Sequence, residues 1–572
     1  MSRRYARHAA AVVGLVTAAV VTSACSTLPT ETEPQVLRTF DSSQKTTDNK
    51  GPERDQEPDL LVRGFYSASA QQAGDYSAAR SYLTSDASNA WKPEDKTFIL
   101  DHIEITAAPG GSDQARSFKV RGTMVGQLSK GGSFVPDSRG YDATVELKKV
   151  DGQWRISNLP GEIVFERADL YNNYKANNLY FFEQTGKKLV ADRRWIYNQI
   201  DGLDTALIST MMDGPSDILA PGVRSAAPKG ARFNGRKDGV YSFSGFQNAD
   251  EQTRLQFAAQ LAWTLSTASI QMPYKVSIDG APVAPNYDQI TTDDFADMNP
   301  RSPAKSVGPM YALSDGKLAE VNSSSSSAVP GPVGQMTNIA SADITEDRNA
   351  AVVQRDPGTK KSRLFGGRLD SPLTQVFEAD SITRPSFSSE SNSAWMVKNG
   401  RTIVRVVRSG NSGQFVENEV ESSSLADIQG NISELQLSPT GVRVAMIING
   451  SVYIGVATNP GDGPKRLVNV HKVANEIQGS ALSLEWQPDR SLIVGTANPD
   501  APVWRVEQDG SAVKPMPNGN LAAPVVAVAA SPTTIYATDE LAIRQLPVSG
   551  STSTWRDVPG LQGTRAAPIV PN

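Results

Sequence analysis

The hydrophobic and polar positions of the chain change rhythm three times. From Val307 onward, an apolar run, a polar turn with Ser or Pro, and a second apolar run recur five times: ADITEDRNAAVV (342–353), PSFSSESNSAWMV (385–397), ELQLSPTGVRVAMI (434–447), SLEWQPDRSLIVGT (483–496) and VAVAASPTTIYAT (526–538). With Ile344, Phe387, Leu437, Trp486 and Val528 in register, the spacings are 43, 50, 49 and 42 residues. A period of roughly 40 to 50 residues built from short strands marks a β-propeller. Further hairpins lie between the repeats, as in TIVRVVRSGNSGQFVENEV and VWRVEQDGSAVKPM. The hairpin MYALSDGKLAEV (310–321) has no opening strand before it and the tail GTRAAPIVPN has none after it. The two ends are therefore expected to complete one blade together, giving about six blades, with seven as the alternative.

Upstream, the rhythm is helical first and strand-like later. In DLLVRGFYSASAQQAGDYSAARSYL, Leu60, Leu61, Phe65 and Ala68 recur at helical spacing, Gly74 reads as a stop, and Asp75 as the cap of a second helix carrying Ala78, Ala79 and Tyr82. Strands are expected at 98–107, 116–128 and 141–150, the last joined through Asp151-Gly152 to QWRIS. Helices followed by a strand meander predict an α+β layer over 59–169. Its closing strand, with Trp154, is similar to the last strand of nuclear transport factor 2-like or cystatin-like domains. The next part, 170–298, predicts strands at 178–183 and 189–196, a helix at 204–215 ended by Gly214-Pro215, and a helix at 250–267 presenting Leu255, Ala258, Ala262 and Leu265. Gly214 and Gly280 need only a turn explanation. The expected fold class is multi-domain: two α+β domains and an all-β propeller over 307–572.

The N-terminus follows a different pattern. Arg3, Arg4 and Arg7 precede an apolar run from Ala9 to Val21, too short for a bilayer core that needs roughly 20 apolar residues. This is the layout of a signal peptide, residues 1–24, followed by Cys25, the one cysteine in the chain. Thr22, Ser23 and Ala24 with Cys25 resemble a bacterial lipobox, in which Thr22 departs from the usual leucine. The resemblance implies a diacylated thiol at the first residue of the mature chain, and two or three acyl chains hold stably where one binds marginally. Residues 25–58 are polar and rich in Thr, Asp, Glu and Pro, so a disordered tether is expected, spanning about 30 Å.

Composition narrows the chemistry. The formal charge of −5 becomes −8 once three arginines leave with residues 1–24, so nucleic acid is not an expected partner. The mature chain keeps two histidines, His102 and His471, both read as structural or surface residues, and no zinc-type spacing, phosphate loop or calcium loop. No cofactor, metal or catalytic residue is assigned. Glu346, Asp347, Glu390, Glu485 and Asp489 read as hydrated charges in or beside turns of the repeat, TEDRN and QPDRS as turn signals, and Ser323–Ser327 as a flexible loop.

LISTMMDGP, GVRSAAPKGARF, LQFAAQLAWTL and VSIDG occur in the order seen in GerMN modules, which are non-catalytic interaction domains. The propeller pattern is similar to TolB or WD-type repeats without their tryptophan-aspartate pair. Taken with Cys25-STLP and LVRGFYSASAQQAGDYSAARSYLT, the whole chain resembles the LpqB family of actinobacterial lipoproteins. That resemblance implies a non-enzymatic accessory protein, anchored through Cys25 to lipid at the outer face of the cytoplasmic membrane. It further implies association with the extracytoplasmic part of the sensor histidine kinase MtrB, with effects through MtrA on cell-wall homeostasis and division. Two rivals remain: a binder of peptidoglycan or its precursors, and a propeller glycan hydrolase, which would need paired carboxylates.

Overall fold

The computed structural model describes residues 51–93, 96–300, 309–322, 324–387, 390–459, 463–548 and 554–571. The signal segment, the lipobox, Cys25 and the tether as far as Lys50 lie outside them. Gly51–Asn572 forms one compact unit.

The end of the expected tether is ordered. Asp55 donates its backbone N–H to Gln153 at 2.7 Å and accepts from the same amide at 2.8 Å, so the chain is pinned three residues before the first helix. That helix, Pro58–Ala68, begins with a proline whose missing N–H is not needed in a first turn. It buries Leu61, Val62, Phe65 and Tyr66 as two i, i+4 pairs, while Leu60, expected on the buried face, is 52% exposed. Gly74 does not stop this helix, which ends at Ala68. It lies inside the next helical segment, Ala73–Arg80, where Gly74, Asp75 and Tyr76 have positive φ. Asp75 is accordingly no cap, and its carboxylate pairs with Arg80 at 3.0 Å.

The helices cover a sheet with the strand order Gln153–Asn158, Gly140–Val150, Ala115–Leu128, Thr97–Leu100, Ile163–Glu166. The strand expected at 98–107 is two, Thr97–Leu100 and Glu104–Ala107, which pair with different halves of Ala115–Leu128. The break follows from Asp101 and His102 facing solvent and from the Ile103 N–H donating to Glu166 Oε1 at 2.9 Å. Asp151 and Gly152, both at positive φ, close the hairpin as expected of a type I′ turn.

In the second part, Glu251–Thr267, capped by Asp250 Oδ1 accepting from the Thr253 N–H at 2.8 Å, lies on the hairpin Tyr174–Glu183 and Leu189–Tyr197. Ala258, Ala262 and Leu265 are buried and Leu255 is partly so. Leu203–Asp213 ends at Gly214, whose φ of 105° accounts for the glycine, as the φ of 84° does at Gly280.

The described residues from Met310 onward form six four-stranded sheets. Their innermost strands are Ala567–Ile569, Ile339–Ile344, Ser386–Phe387, Ile432–Leu437, Ala481–Trp486 and Ala527–Ala530, in blades one to six. Blade one joins the two ends of the propeller, with Tyr311 opposite Ile569 and Leu313 opposite Ala567. Its outer strand, Ser326–Ala328, contains part of the serine run read as a flexible loop, because an exposed outer strand asks only for backbone pairing. In blade six the register residue is Ala530 rather than Val528, since Ala530, like Ile344, Leu437 and Trp486, is the last residue before the turn.

The second part docks on the turns that follow the innermost strands of blades four and five. Its hydrophobic core runs on into Val442 and Val456 of blade four. Arg443 donates to the Ala191 carbonyl at 2.8 Å, Thr458 to the Pro221 carbonyl at 2.6 Å, and Arg193 reaches Glu507 at 3.3 Å. Arg490 stacks over the Tyr180 ring at 5.5 Å and donates to the Pro300 carbonyl. The first part adds Arg167 to Glu476 at 2.7 Å and Tyr171 Oη to the Ser511 carbonyl at 2.9 Å.

Candidate functional site

Side chains alternate along each inner strand, so residues one and three positions before the last residue of the strand share the side facing the propeller axis. Applied to Ile344, Phe387, Leu437, Trp486 and Ala530, this rule picks out two rings. The nearer ring is Asp343, Ser386, Gln436, Glu485 and Ala529; the farther is Ser341, Arg384, Glu434, Ser483 and Ala527. All five residues of the farther ring line a cavity of about 300 Å³, which blade one completes with Ala567 and Pro568. Because every blade contributes, the cavity lies on the axis. It opens at the start of the inner strands, opposite the turns on which the second part docks.

Arg384 organises both rings. Its Nε donates to Glu434 Oε1 at 2.8 Å, Nη1 to Glu485 Oε2 at 3.0 Å and Nη2 to the Leu484 carbonyl at 2.9 Å, so one guanidinium ties blades three, four and five together. Asp343 accepts from the Phe387 N–H at 2.8 Å and the Ile344 N–H at 3.0 Å. Glu485 Oε1 takes the Trp486 N–H at 3.0 Å, and Trp486 Nε1 donates to the Gln436 carbonyl at 3.1 Å. Burial favours the neutral acid. It pushes Glu485 up to about 7 although Arg384 pulls the other way, and it raises Asp343 as well. Burial also disfavours the charge on Arg384, but the carboxylates of Glu434, Glu485 and Asp343 more than offset this and hold its pKa above the ordinary guanidinium value.

Glu485 is the correction to the sequence reading. It is 6% exposed and sits in an inner strand facing the axis, so it is not a hydrated turn residue. The other four acids are where turn residues belong: Glu346 and Asp347 in the Thr345–Asn349 turn, Asp489 in the Gln487–Ser491 turn beside Arg505, and Glu390 next to Arg405. Arg384 and Glu434 drew no attention in the sequence. The signal for them was the repeat itself, read one and three residues before each register position.

His102 is exposed and lies 3.3 Å from Glu166, and His471 is partly buried with its pKa lowered by burial. Among the described residues no group of three His, Cys, Asp or Glu is placed to hold a metal ion, and no helix is long and apolar enough to cross a membrane.

A six-bladed propeller with a polar axis, carrying two α+β domains, defines a class of multi-domain propeller proteins. Family models match it in chain order: the Lipoprotein LpqB N-terminal domain over 51–171, a sporulation and spore germination module over 178–284, and the Lipoprotein LpqB β-propeller domain over 316–571. Lipoprotein LpqB of Corynebacterium diphtheriae is 40% identical, covering 100% of both chains, and that of Rhodococcus jostii 33% identical, covering 100% of this chain and 99% of its own. The protein of that name from Mycolicibacterium smegmatis is 31% identical over 98% of each. The chain belongs to the Lipoprotein LpqB family. Among solved structures, the Cps50 (Swd1) β-propeller domain of Myceliophteria thermophila resembles it at a TM-score of 0.27 and 11% identity, covering 39% of this chain and 70% of that one. So slight a likeness carries no argument.

Proposed function

We propose that this protein is a lipid-anchored extracytoplasmic accessory protein that binds a membrane sensor histidine kinase of the MtrA-MtrB type and modulates its signalling, and through it cell-wall homeostasis and division. The observation that carries the reading is the end-to-end family match combined with a propeller that keeps one face open while its other side is occupied by the chain's own second part. Propeller faces present loops on a rigid scaffold, which is how binding surfaces are commonly built. Acylation at Cys25 would confine the protein to the surface that holds the kinase, raising effective concentration so that a weak contact suffices.

The test is crosslinking in intact membranes followed by purification through a C-terminal tag, with Cys25→Ala as the mislocalised control. Recovery of the sensor kinase with wild type and its loss with Cys25→Ala is expected. Recovery of wall fragments or wall synthases without the kinase would replace this reading with the peptidoglycan binder.

A further inference from the structure

The axial cavity differs from the rest of the surface in three respects. Its size, about 300 Å³, is at the small end of ligand pockets. Arg384 and Glu434 are the charged side chains that line it, and behind them Arg384 also contacts Glu485, with Asp343 nearby. Two exposed apolar side chains stand at or beside its mouth, Val526, which lines it at 38% exposure, and Leu482, next to the lining Ser483, at 40%.

Charges taken out of water are paired or neutralised by protons. Arg384 compensates one of the three carboxylates. The other two have no cation of their own, and burial pushes Glu485 and Asp343 toward the protonated form. Meanwhile Glu434 Oε2 accepts no hydrogen bond among the described residues although Glu434 lines the cavity. A cation entering from outside would take the place of the missing charge, and an apolar lip suits a side chain with an aliphatic stem better than a bare ion, since Lys and Arg lay their methylenes on apolar surface.

We propose that the open end of the propeller axis is the docking site for a basic side chain, arginine or lysine, presented on a loop of a partner protein, with Glu434 as its counter-charge and Leu482 and Val526 as the lip. The inference rests on the reading above only in taking the partner to be a protein. The opposite end of the axis is unsuited to this, since Arg443 and Arg490 are committed there to contacts with the second part.

The test places a photocrosslinking amino acid at Leu482 of the full-length, membrane-anchored protein, with a control at Val416, exposed on the outer strand of blade three. The adduct at Leu482 is expected to map within about three residues of an Arg or Lys in one partner. Its yield should drop at least tenfold in Glu434→Gln and in Val526→Arg, which sets a like charge at the mouth. Val526 is a third exposed, so the second variant keeps the test valid should the first fail to fold, as judged by thermal unfolding. If the kinase is recovered through the tag but forms no adduct at Leu482, this inference fails and the proposed function stands. Adducts on glycan, on segments without a basic residue, or unaffected by both variants also overturn it. A basic loop captured from a protein other than the kinase upholds the inference and removes the kinase reading.

Discussion

Arg384 holds two carboxylates on neighbouring blades at once, and removing it would leave Glu434 and Glu485 buried without their cation. Breaking a buried pair in this way costs about 3 kcal/mol or more, so Arg384→Met should lower the denaturant midpoint by that equivalent. Glu485 makes a prediction with a definite sign. In the unfolded chain it ionises near its ordinary value of 4.5, while in the fold it keeps its proton up to about 7. Between those values the folded state binds more protons, so this group's contribution to stability is lost as pH rises from 4.5 to 7. Glu485→Gln lacks that loss. Between pH 5 and pH 8 the unfolding free energy of Glu485→Gln should therefore gain on wild type by on the order of 2 to 3 kcal/mol, at about 1.4 kcal/mol per pKa unit. A constant difference across that range would show that Glu485 is ionised throughout. These residues were within reach of the sequence, because the repeat supplied the register and alternation supplies the rest. They were passed over because acids beside turns are usually hydrated, and only the blade geometry turns Glu485 inward while leaving Asp489 outside.

At the level of elements, the five hairpin repeats and the blade shared by the two ends, the long helix and the Asp151-Gly152 turn follow from periodicity and turn chemistry. The errors concern local competition between signals. Leu60 fits the helical spacing as well as Val62, yet the stripe that packs on the sheet runs through Leu61, Val62, Phe65 and Tyr66 and leaves Leu60 outside. Gly74 supplies a positive φ inside a segment rather than ending one. The second part's strand LVADRRWI puts three consecutive charges in a strand, which no core rule predicts. Asp192 and Arg194 pair with each other at 2.8 Å and Arg193 turns to Glu507, because this strand lies where the three parts meet. The contact with blade four depends on Gly222, where a Cβ would come within 2.6 Å of Val456 and 2.7 Å of Val442. Overpacking of this kind costs about 1–3 kcal/mol. Gly222→Leu should destabilise the protein by that amount, seen in denaturant unfolding, and should expose the hairpins of blade four to protease.

For the molecule as a whole, the shared hydrophobic core matters more than the number of parts. Parts joined by small polar interfaces move and unfold separately, whereas here the second part's core includes Val442 and Val456 of the propeller. Calorimetry of the intact protein should therefore show the second part and the propeller melting in one transition, and two resolved transitions would mean that the interface contributes little. The two ends of the axis also differ, one lying on the side where the second part docks and the other open with its charged cavity. The direct test is hydrogen exchange on the full-length protein with and without the extracytoplasmic domain of the sensor kinase. Slowed exchange is expected at residues 382–387, 431–436, 481–485 and 524–528, around the open end. Protection confined to the outer strands, or to the docked parts, with these segments unchanged, would contradict it.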